Sequence, residues 1–404
     1  MFLVITSSIF LQSCREDIGE PPLSTPAERG SIVSIEFLGE VSKTTLAYYL
    51  NQSGYTGTIQ PQYDVILQKV IYNTVDWNGN IVQVSGLIAY PSGVNNLPLI
   101  ATFHGTQTRR DNVGSRSPYY SIESVVAASL GYASCAPDYL GLGDSDLIQA
   151  YHNESTSASC AIDCIRAART FYDNQGLTLD GDLFLAGYSQ GGYVAMATQK
   201  EIEADYSNEF HLTAVAAMAG AFDLYGTMEN ILSHETYEKP SFLLLLSYGY
   251  NTIYGMNELD SIFNEPYVSE IPQLLDGTKT TDDIDASLPT QLNELFKQQF
   301  ITSMLNGTET KFSGELKANT LLDWKPVAPI LLAQGDADQL VPYQNAVTAY
   351  NKLRQNGAAR VDLFTINGGN HYSSAIPAYE HAIIWFSSFM QNSPSTKTVA
   401  VLNK

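Results

Sequence analysis

The sequence predicts an α/β fold, a mostly parallel sheet with helices on both faces. Short, largely apolar runs at residues 97–103, 131–136, 183–186, 212–218, 329–333 and 360–366 alternate with stretches of helical spacing. Strands of that kind belong to sheets buried on both faces, where helical crossovers connect parallel neighbours. Two β-rich runs, 63–74 and 81–90, meet through Asp76-Trp77-Asn78-Gly79-Asn80, and Asn-Gly between such runs marks a hairpin. The βα rhythm then stops across residues 223–325 and resumes afterwards. An insertion between two strands of one sheet lies as a cap over their C-terminal ends.

Taken in order, residues 2–11 form an apolar run too short to span a bilayer but suited to the core of a signal peptide, here residues 1–14. Residues 15–60 read as a tether and N-terminal segment, Pro- and Glu-containing at first, with a short helix at 41–50 and a Gly/Gln/Thr-rich connector at 51–61. Residues 61–222 are the first part of the sheet domain, with helices at 121–130, 155–172 and 193–205. Residues 223–325 are the helical cap, with helical pieces at 241–248 and 288–305. Within it, Leu243 to Leu246 read as buried core in preference to a lipid-facing strip. Asp282, Asp283 and Asp285 lack the glycine and distal glutamate of a calcium loop, so helix-start polarity is the better reading. Residues 326–394 complete the sheet domain with helices at 343–355 and 376–390, and 395–404 are a tail.

Composition narrows the function. A chain of 404 residues with 44% hydrophobic and 16% charged residues is globular. Its net charge of −21, spread along the chain, argues against nucleic acid, whose phosphates need a basic face, and suggests solubility. Cys160 and Cys164, four apart on one helix, suit neither a disulfide nor a zinc site, so with Cys135 they read as small buried hydrophobes. No metal or organic cofactor is expected.

The chemistry centres on Leu183-Phe184-Leu185-Ala186-Gly187-Tyr188-Ser189-Gln190-Gly191-Gly192. An apolar strand runs into a serine flanked by glycines, followed by a helix. A serine on so sharp a turn exposes its hydroxyl, and the first helical turn offers free N–H groups to whatever the serine attacks. The pattern alone recurs by chance, and its weight comes from partners elsewhere. A hydroxyl needs a base, and the base needs an acid to set its tautomer. Of six histidines only His371 lies in a polar, Gly-rich loop after a late strand, on the same rim as Ser189. His381 reads as packed or surface, His211 falls on the opposite rim, and His152 and His234 read as ordinary surface residues.

The acid should follow a strand between the two. Gly335-Asp336-Ala337-Asp338 supplies two aspartates whose side chains cannot both reach one imidazole. Asp338, farther beyond the strand, is preferred. Asp336 is the fallback, as a turn carboxylate open to misreading, and Asp223 is a weaker one. The oxyanion donors are then the Gln190 N–H together with that of Gly105 or Thr106, at the end of the strand 97–103. His104 precedes the serine and reads as a packing or hydrogen-bonding residue.

His104-Gly105, Asp138 through Gly143, Gly187 through Gly191, Gly335 through Pro342 and Asn370-His371 together resemble the α/β-hydrolase superfamily, spaced as its third, fourth, fifth, seventh and eighth strands. Within it the chain is similar to the secretory lipase group, on Asp138-Tyr139-Leu140-Gly141 and the Ser189 elbow, and that group carries a helical insertion after the sixth strand. The resemblance implies carboxylic-ester hydrolysis through an acyl-enzyme. It supports Asp338, three residues after the strand's glycine. Separately, Leu11-Gln12-Ser13-Cys14 resembles the lipobox of bacterial lipoproteins, which implies cleavage before Cys14, a lipid on it, and a membrane-anchored location, with the bacterial outer membrane the expected one. The substrate is expected to be a small-molecule or lipid ester. A peptide or an acetyl or feruloyl ester on a polysaccharide is the alternative, and a non-catalytic binding lipoprotein is the reading of another class.

Overall fold

The computed structural model describes residues 28–390, apart from 53, 54, 56, 58 and 309. The proposed signal, Cys14 and the C-terminal tail lie outside the described residues. One sheet of nine strands, in the order β1-β2-β3-β5-β4-β6-β7-β8-β9, organises the chain. Strand β1 (Ile32–Val41) and helix α1 (Lys43–Gln52) precede the hairpin of β2 (Val65–Val75) and β3 (Ile81–Pro91). The hairpin turns at Asn78-Gly79, with Gly79 at φ 80° and Val75 paired to Ile81. Then come β4 (Leu97–Phe103), α2 (Ile122–Ser129), β5 (Ala133–Pro137), α3 (Glu154–Asn174), β6 (Leu179–Tyr188), α4 (Gln190–Asp205) and β7 (Ala214–Met218). From β5 to β9 every pairing is parallel, while β1, β2 and β3 are antiparallel to their neighbours.

Burial on both faces explains the apolar strands. Leu183 and Leu185 of β6 enter one core beside α3 and α4, while Phe184 and Ala186 enter another beneath α14 (Ala375–Ser387). Phe184 is fully buried, so truncation to alanine would cost about 3–5 kcal/mol. Cys135, Cys160 and Cys164 are free and buried in the first core.

The inserted cap lies between β7 and β8 (Ile330–Gly335). It comprises α5 (Leu224–Leu232), α6 (Pro240–Ile253), α7 (Leu259–Ile262), α8 (Tyr267–Leu274), α9 (Thr281–Asp285), α10 (Leu292–Leu295), α11 (Gln298–Leu305) and α12 (Lys311–Ala318). α13 (Tyr343–Gln355) and β9 (Val361–Ile366) follow β8. Because β1 adds a strand at the sheet edge, the cap follows the seventh strand of this sheet and the sixth of the remaining eight. Leu243 to Leu246 are buried. Asp283 closes a capping box with Thr280, and Asp282 and Asp285 pair with Lys239. The cap is bonded to two loops of the sheet domain. Thr108 Oγ1 donates to the Lys279 carbonyl (2.9 Å) and the Arg110 N–H to that of Gly277 (2.8 Å). Buried Tyr237 donates to the Leu340 carbonyl at 3.1 Å.

Two expectations change. Residues 32–41 form an edge strand in the segment read as tether and N-terminal residues. The 288–305 stretch is two short helices, because Phe296 leaves helical geometry (φ −104°, ψ 148°) to bridge Phe263. Among the described residues no helix is long and apolar enough to cross a membrane.

Candidate active site

The chain enters β4, passes to β5 on one side, and returns to β6 on the other, so the direction of winding reverses between β4 and β6. Loops leaving such a pair diverge and open a crevice at the strands' C-terminal ends. Phe103 pairs with Gly187 at that point, which sets the loop after β4 beside the turn after β6.

Ser189 sits on that turn with φ 61° and ψ −123°, a conformation that non-glycine residues adopt only under strain. The glycines around it permit the approach of three backbones. A Cβ on Gly187 would lie 2.1 Å from the Gly191 carbonyl oxygen, and one on Gly191 would lie 1.9 Å from that of Phe103. Gly192 faces the Met218 carbonyl in the same way, at 2.2 Å.

Two further loops converge here. Gly335, ending β8, approaches Gly369 so closely that an added Cβ would lie 2.0 Å from the Gly369 oxygen. That contact brings the loop after β8 against the loop after β9. His371 Nδ1 lies 2.7 Å from Asp338 Oδ2, and its Nε2 lies 2.8 Å from Ser189 Oγ. A carboxylate only accepts, so Nδ1 carries the proton and Nε2 is left to accept from the serine. Both Asp338 and His371 are buried. Asp338 accepts four hydrogen bonds: the N–H groups of Leu340 and Val341 on Oδ1 (both 3.0 Å), and His371 with the Gln334 amide (3.2 Å) on Oδ2.

The fallback acids are occupied elsewhere. Asp336 is exposed and accepts the Gly368 N–H at 2.6 Å. Asp223 caps α5 through the Gly226 N–H at 2.9 Å. Both are turn or cap carboxylates.

Gln190 is the first residue of α4, so its N–H has no carbonyl one turn back to bond. Gly105 borders the serine: a Cβ there would lie 3.8 Å from Ser189 Cβ. The neighbouring Thr106 hydroxyl shares a 2.7 Å hydrogen bond with Tyr151. His104 braces this loop. Its Nδ1 lies 2.7 Å from the Gly105 carbonyl and its ring lies 4.2 Å from that of Tyr139, while burial keeps its pKa below the ordinary histidine value.

The remaining histidines stay apart. His211 and His234 are exposed, and His381 stacks on Phe364 at 3.8 Å. His152 corrects the surface reading. It is buried between Tyr151 and Tyr193 with φ 50°, and burial lowers its pKa to about 3.

Sequence reasoning missed two supporting residues. Tyr188 donates its hydroxyl to the His371 carbonyl at 2.7 Å, and Gln334 contacts Asp338. The only cue was polarity: a tyrosine beside the nucleophile, and a glutamine next to last in an otherwise apolar strand.

A model of the secretory lipase family matches residues 119–398, well over half of the chain. The chain belongs to the secretory lipase family. It is an α/β-hydrolase that cleaves carboxylic esters, and its family is one of exported enzymes. Among solved structures, this secretory lipase is similar to the rice cell wall degrading esterase LipA of Xanthomonas oryzae, at 28% identity over 93% of this chain and 98% of that one, with a TM-score of 0.78. It is also similar to a putative hydrolase of Legionella pneumophila, at 29% identity over 89% and 100% of the two chains, TM-score 0.83. Lipase A of Candida antarctica shares the fold, at 16% identity over 91% and 84%, TM-score 0.69. A comparison with curated protein sequences finds no match.

Proposed function

We propose that Ser189, His371 and Asp338 carry out ester hydrolysis through an acyl-enzyme. The observation behind this is the unbroken hydrogen-bonded path from Ser189 Oγ through both ring nitrogens of His371 to Asp338. Ser189 Oγ attacks the ester carbonyl carbon as its proton passes to His371 Nε2. The carbonyl oxygen becomes an oxyanion held by the Gln190 N–H and that of Gly105 or Thr106, each such donor worth about 2.7–4 kcal/mol in the transition state. His371 returns the proton to the departing alkoxide, which leaves as alcohol. Water then attacks the acyl carbon and gives its proton to His371. The carbon–Oγ bond breaks, Ser189 recovers the proton, and the carboxylic acid departs. Asp338 holds the tautomer and offsets the imidazolium charge. These steps call on side chains and backbone alone, with no metal or organic cofactor.

A fluorophosphonate probe tests this directly: the adduct is expected on Ser189 and absent from Ser189→Ala. A modified serine elsewhere, or an active Ser189→Ala enzyme, would refute the assignment. Residues 223–325 act in this reading as the cap that shapes the substrate site. Similarity to a cell wall degrading esterase along nearly the whole chain favours one second reading, a polysaccharide ester as substrate. Nitrophenyl acetate, butyrate and palmitate assayed beside feruloylated and acetylated xylan separate that from a lipid ester. The Leu11-Gln12-Ser13-Cys14 motif supports a lipid anchor at Cys14, in the bacterial outer membrane. Wild type should sediment with membranes and Cys14→Ser should not.

A further inference from the structure

The geometry points to Gln334 as a positioning residue for the reaction, one that holds the Asp338 carboxylate in place and restrains its pull on His371. This rests on the assignment of His371 and Asp338 as base and acid. Gln334 is the penultimate residue of β8, where every other side chain is apolar, and it is fully buried. Its Nε2 donates to Asp338 Oδ2 at 3.2 Å and, at 2.5 Å, to the Val341 carbonyl. Val341 in turn donates its N–H to Asp338 Oδ1 at 3.0 Å. The amide therefore closes a ring through the carboxylate and the turn behind it.

The other half of the amide points to a role beyond stability. Gln334 Oε1 is buried with no hydrogen-bond partner. A half-satisfied buried amide costs free energy relative to an apolar side chain of the same size. Packing alone gives no reason for that orphaned oxygen, and what glutamine adds, besides its bond to the Val341 carbonyl, is a second donor on the oxygen that faces His371. A carboxylate oxygen shared between two donors holds each less strongly than it would hold one. Asp338 then stabilises the imidazolium less, and His371 releases its proton more readily to the leaving group. The polar groups around this pair are Gln334 in β8 and Asp338 after it, Tyr188 ending β6 and Ser189 after it, Tyr237 from the cap and Tyr372 beside His371. Among these only Gln334 and His371 donate side-chain hydrogen bonds to Asp338.

The test is Gln334→Met, which conserves volume and removes the donor, in the full-length enzyme. Melting temperature, kcat and the kcat/KM–pH profile on p-nitrophenyl butyrate are measured beside wild type. Expected are a melting temperature lowered by no more than a few degrees, because the Val341 carbonyl loses its donor, kcat down about tenfold, and the acid limb of the profile about half a pH unit higher. A folded Gln334→Met enzyme with wild-type kcat and pH profile overturns the inference. So does a lower melting temperature with an unshifted profile, because a merely structural residue changes the amount of folded enzyme and not its titration. Gln334→Asn keeps an amide in the site but is one methylene too short to reach Asp338. It is measured alongside and read by the same outcomes, which covers the case of Gln334→Met failing to fold. Fluorophosphonate labelling of wild-type Ser189 separates the two levels. Wild type unlabelled at Ser189 sinks the catalytic reading itself, whereas labelled wild type with unchanged variants sinks only the role of Gln334.

Discussion

Replacing Asp338 with asparagine removes a charge with almost no change of shape, and the surrounding hydrogen bonds dictate how the site responds. All four groups that contact the carboxylate are donors: two backbone N–H groups on Oδ1, and Gln334 and His371 on Oδ2. An asparagine has an NH2 group at one end and must set it against one of these pairs. The backbone pair cannot turn away, and leaving two buried N–H groups unmet costs about 1–3 kcal/mol each. The NH2 therefore faces Oδ2's former partners. Gln334 cannot reverse its amide without setting Oε1 against the Val341 carbonyl, so it keeps its Nε2 on that carbonyl and gives up its bond to residue 338. His371 has only one way to adapt: it accepts at Nδ1 and carries its proton on Nε2. That nitrogen then cannot receive the Ser189 proton. The wrong tautomer in a Ser-His-Asp system costs about 10⁴-fold in kcat, or roughly 5.5 kcal/mol. Steady-state kinetics on p-nitrophenyl butyrate should give that loss, with a melting temperature close to wild type and slow fluorophosphonate labelling. A folded Asp338→Asn enzyme that keeps more than about a tenth of wild-type kcat/KM would show that the proton path runs elsewhere.

Asp336→Asn is the matched control. Its exposed carboxylate serves only the turn at Gly368, so kcat/KM should stay within about twofold of wild type, and a larger loss would transfer the acid's role to it. Gly191→Ala sets a methyl 1.9 Å from the Phe103 oxygen where ordinary contact begins near 3.4 Å. The elbow and β4 must part by more than an ångström, and activity should fall about a hundredfold or more, as misplacement on that scale does; near-normal kcat would contradict the close approach. Burial lowers the His152 pKa to about 3 from an ordinary 6.5. The unfolded chain then takes up the proton first, so the neutral buried ring contributes full stability above pH 6.5 and loses it progressively as pH falls toward 3. Asparagine accepts the left-handed φ of 50° at this position without a titrating ring. The melting temperature of His152→Asn should therefore decline less than that of wild type between pH 6 and pH 4, and parallel curves would refute the argument.

The frame of the fold was legible where burial on both faces made whole strands apolar, as in β4, β6 and β8. β1 was not, because an edge strand has less to bury. Val33, Ile35 and Phe37 are exposed, so its apolar residues carry no inward pattern. Ser189 and His371 stood out through their glycine-rich turns, and the structure brings them within hydrogen-bond distance. Choosing Asp338 over Asp336 took an argument about distance beyond the strand. Gln334 and Tyr188 were invisible as partners because their contacts depend on which way a side chain leaves a strand end. His152 was misjudged for a related reason. Asn153 behind it opens α3, accepting the Thr156 N–H at 3.1 Å, and this turns the preceding histidine into the interior.

The bonds from residues 277 and 279 to the loop beside Gly105, and from Tyr237 to the turn holding Asp338, bear on how this protein can diversify. A lineage that exchanged the whole insertion for a foreign one would acquire a new substrate surface and sever the attachments that steady two loops of the reaction centre. Tyr250 of α6 and Asn319 at the end of α12 are also bonded to the sheet domain, at the His152 carbonyl and the Glu154 N–H. Graded change is therefore open to the stretches between these attachments, notably α7, α8, α10 and α11, while wholesale transplantation meets resistance from the chemistry underneath.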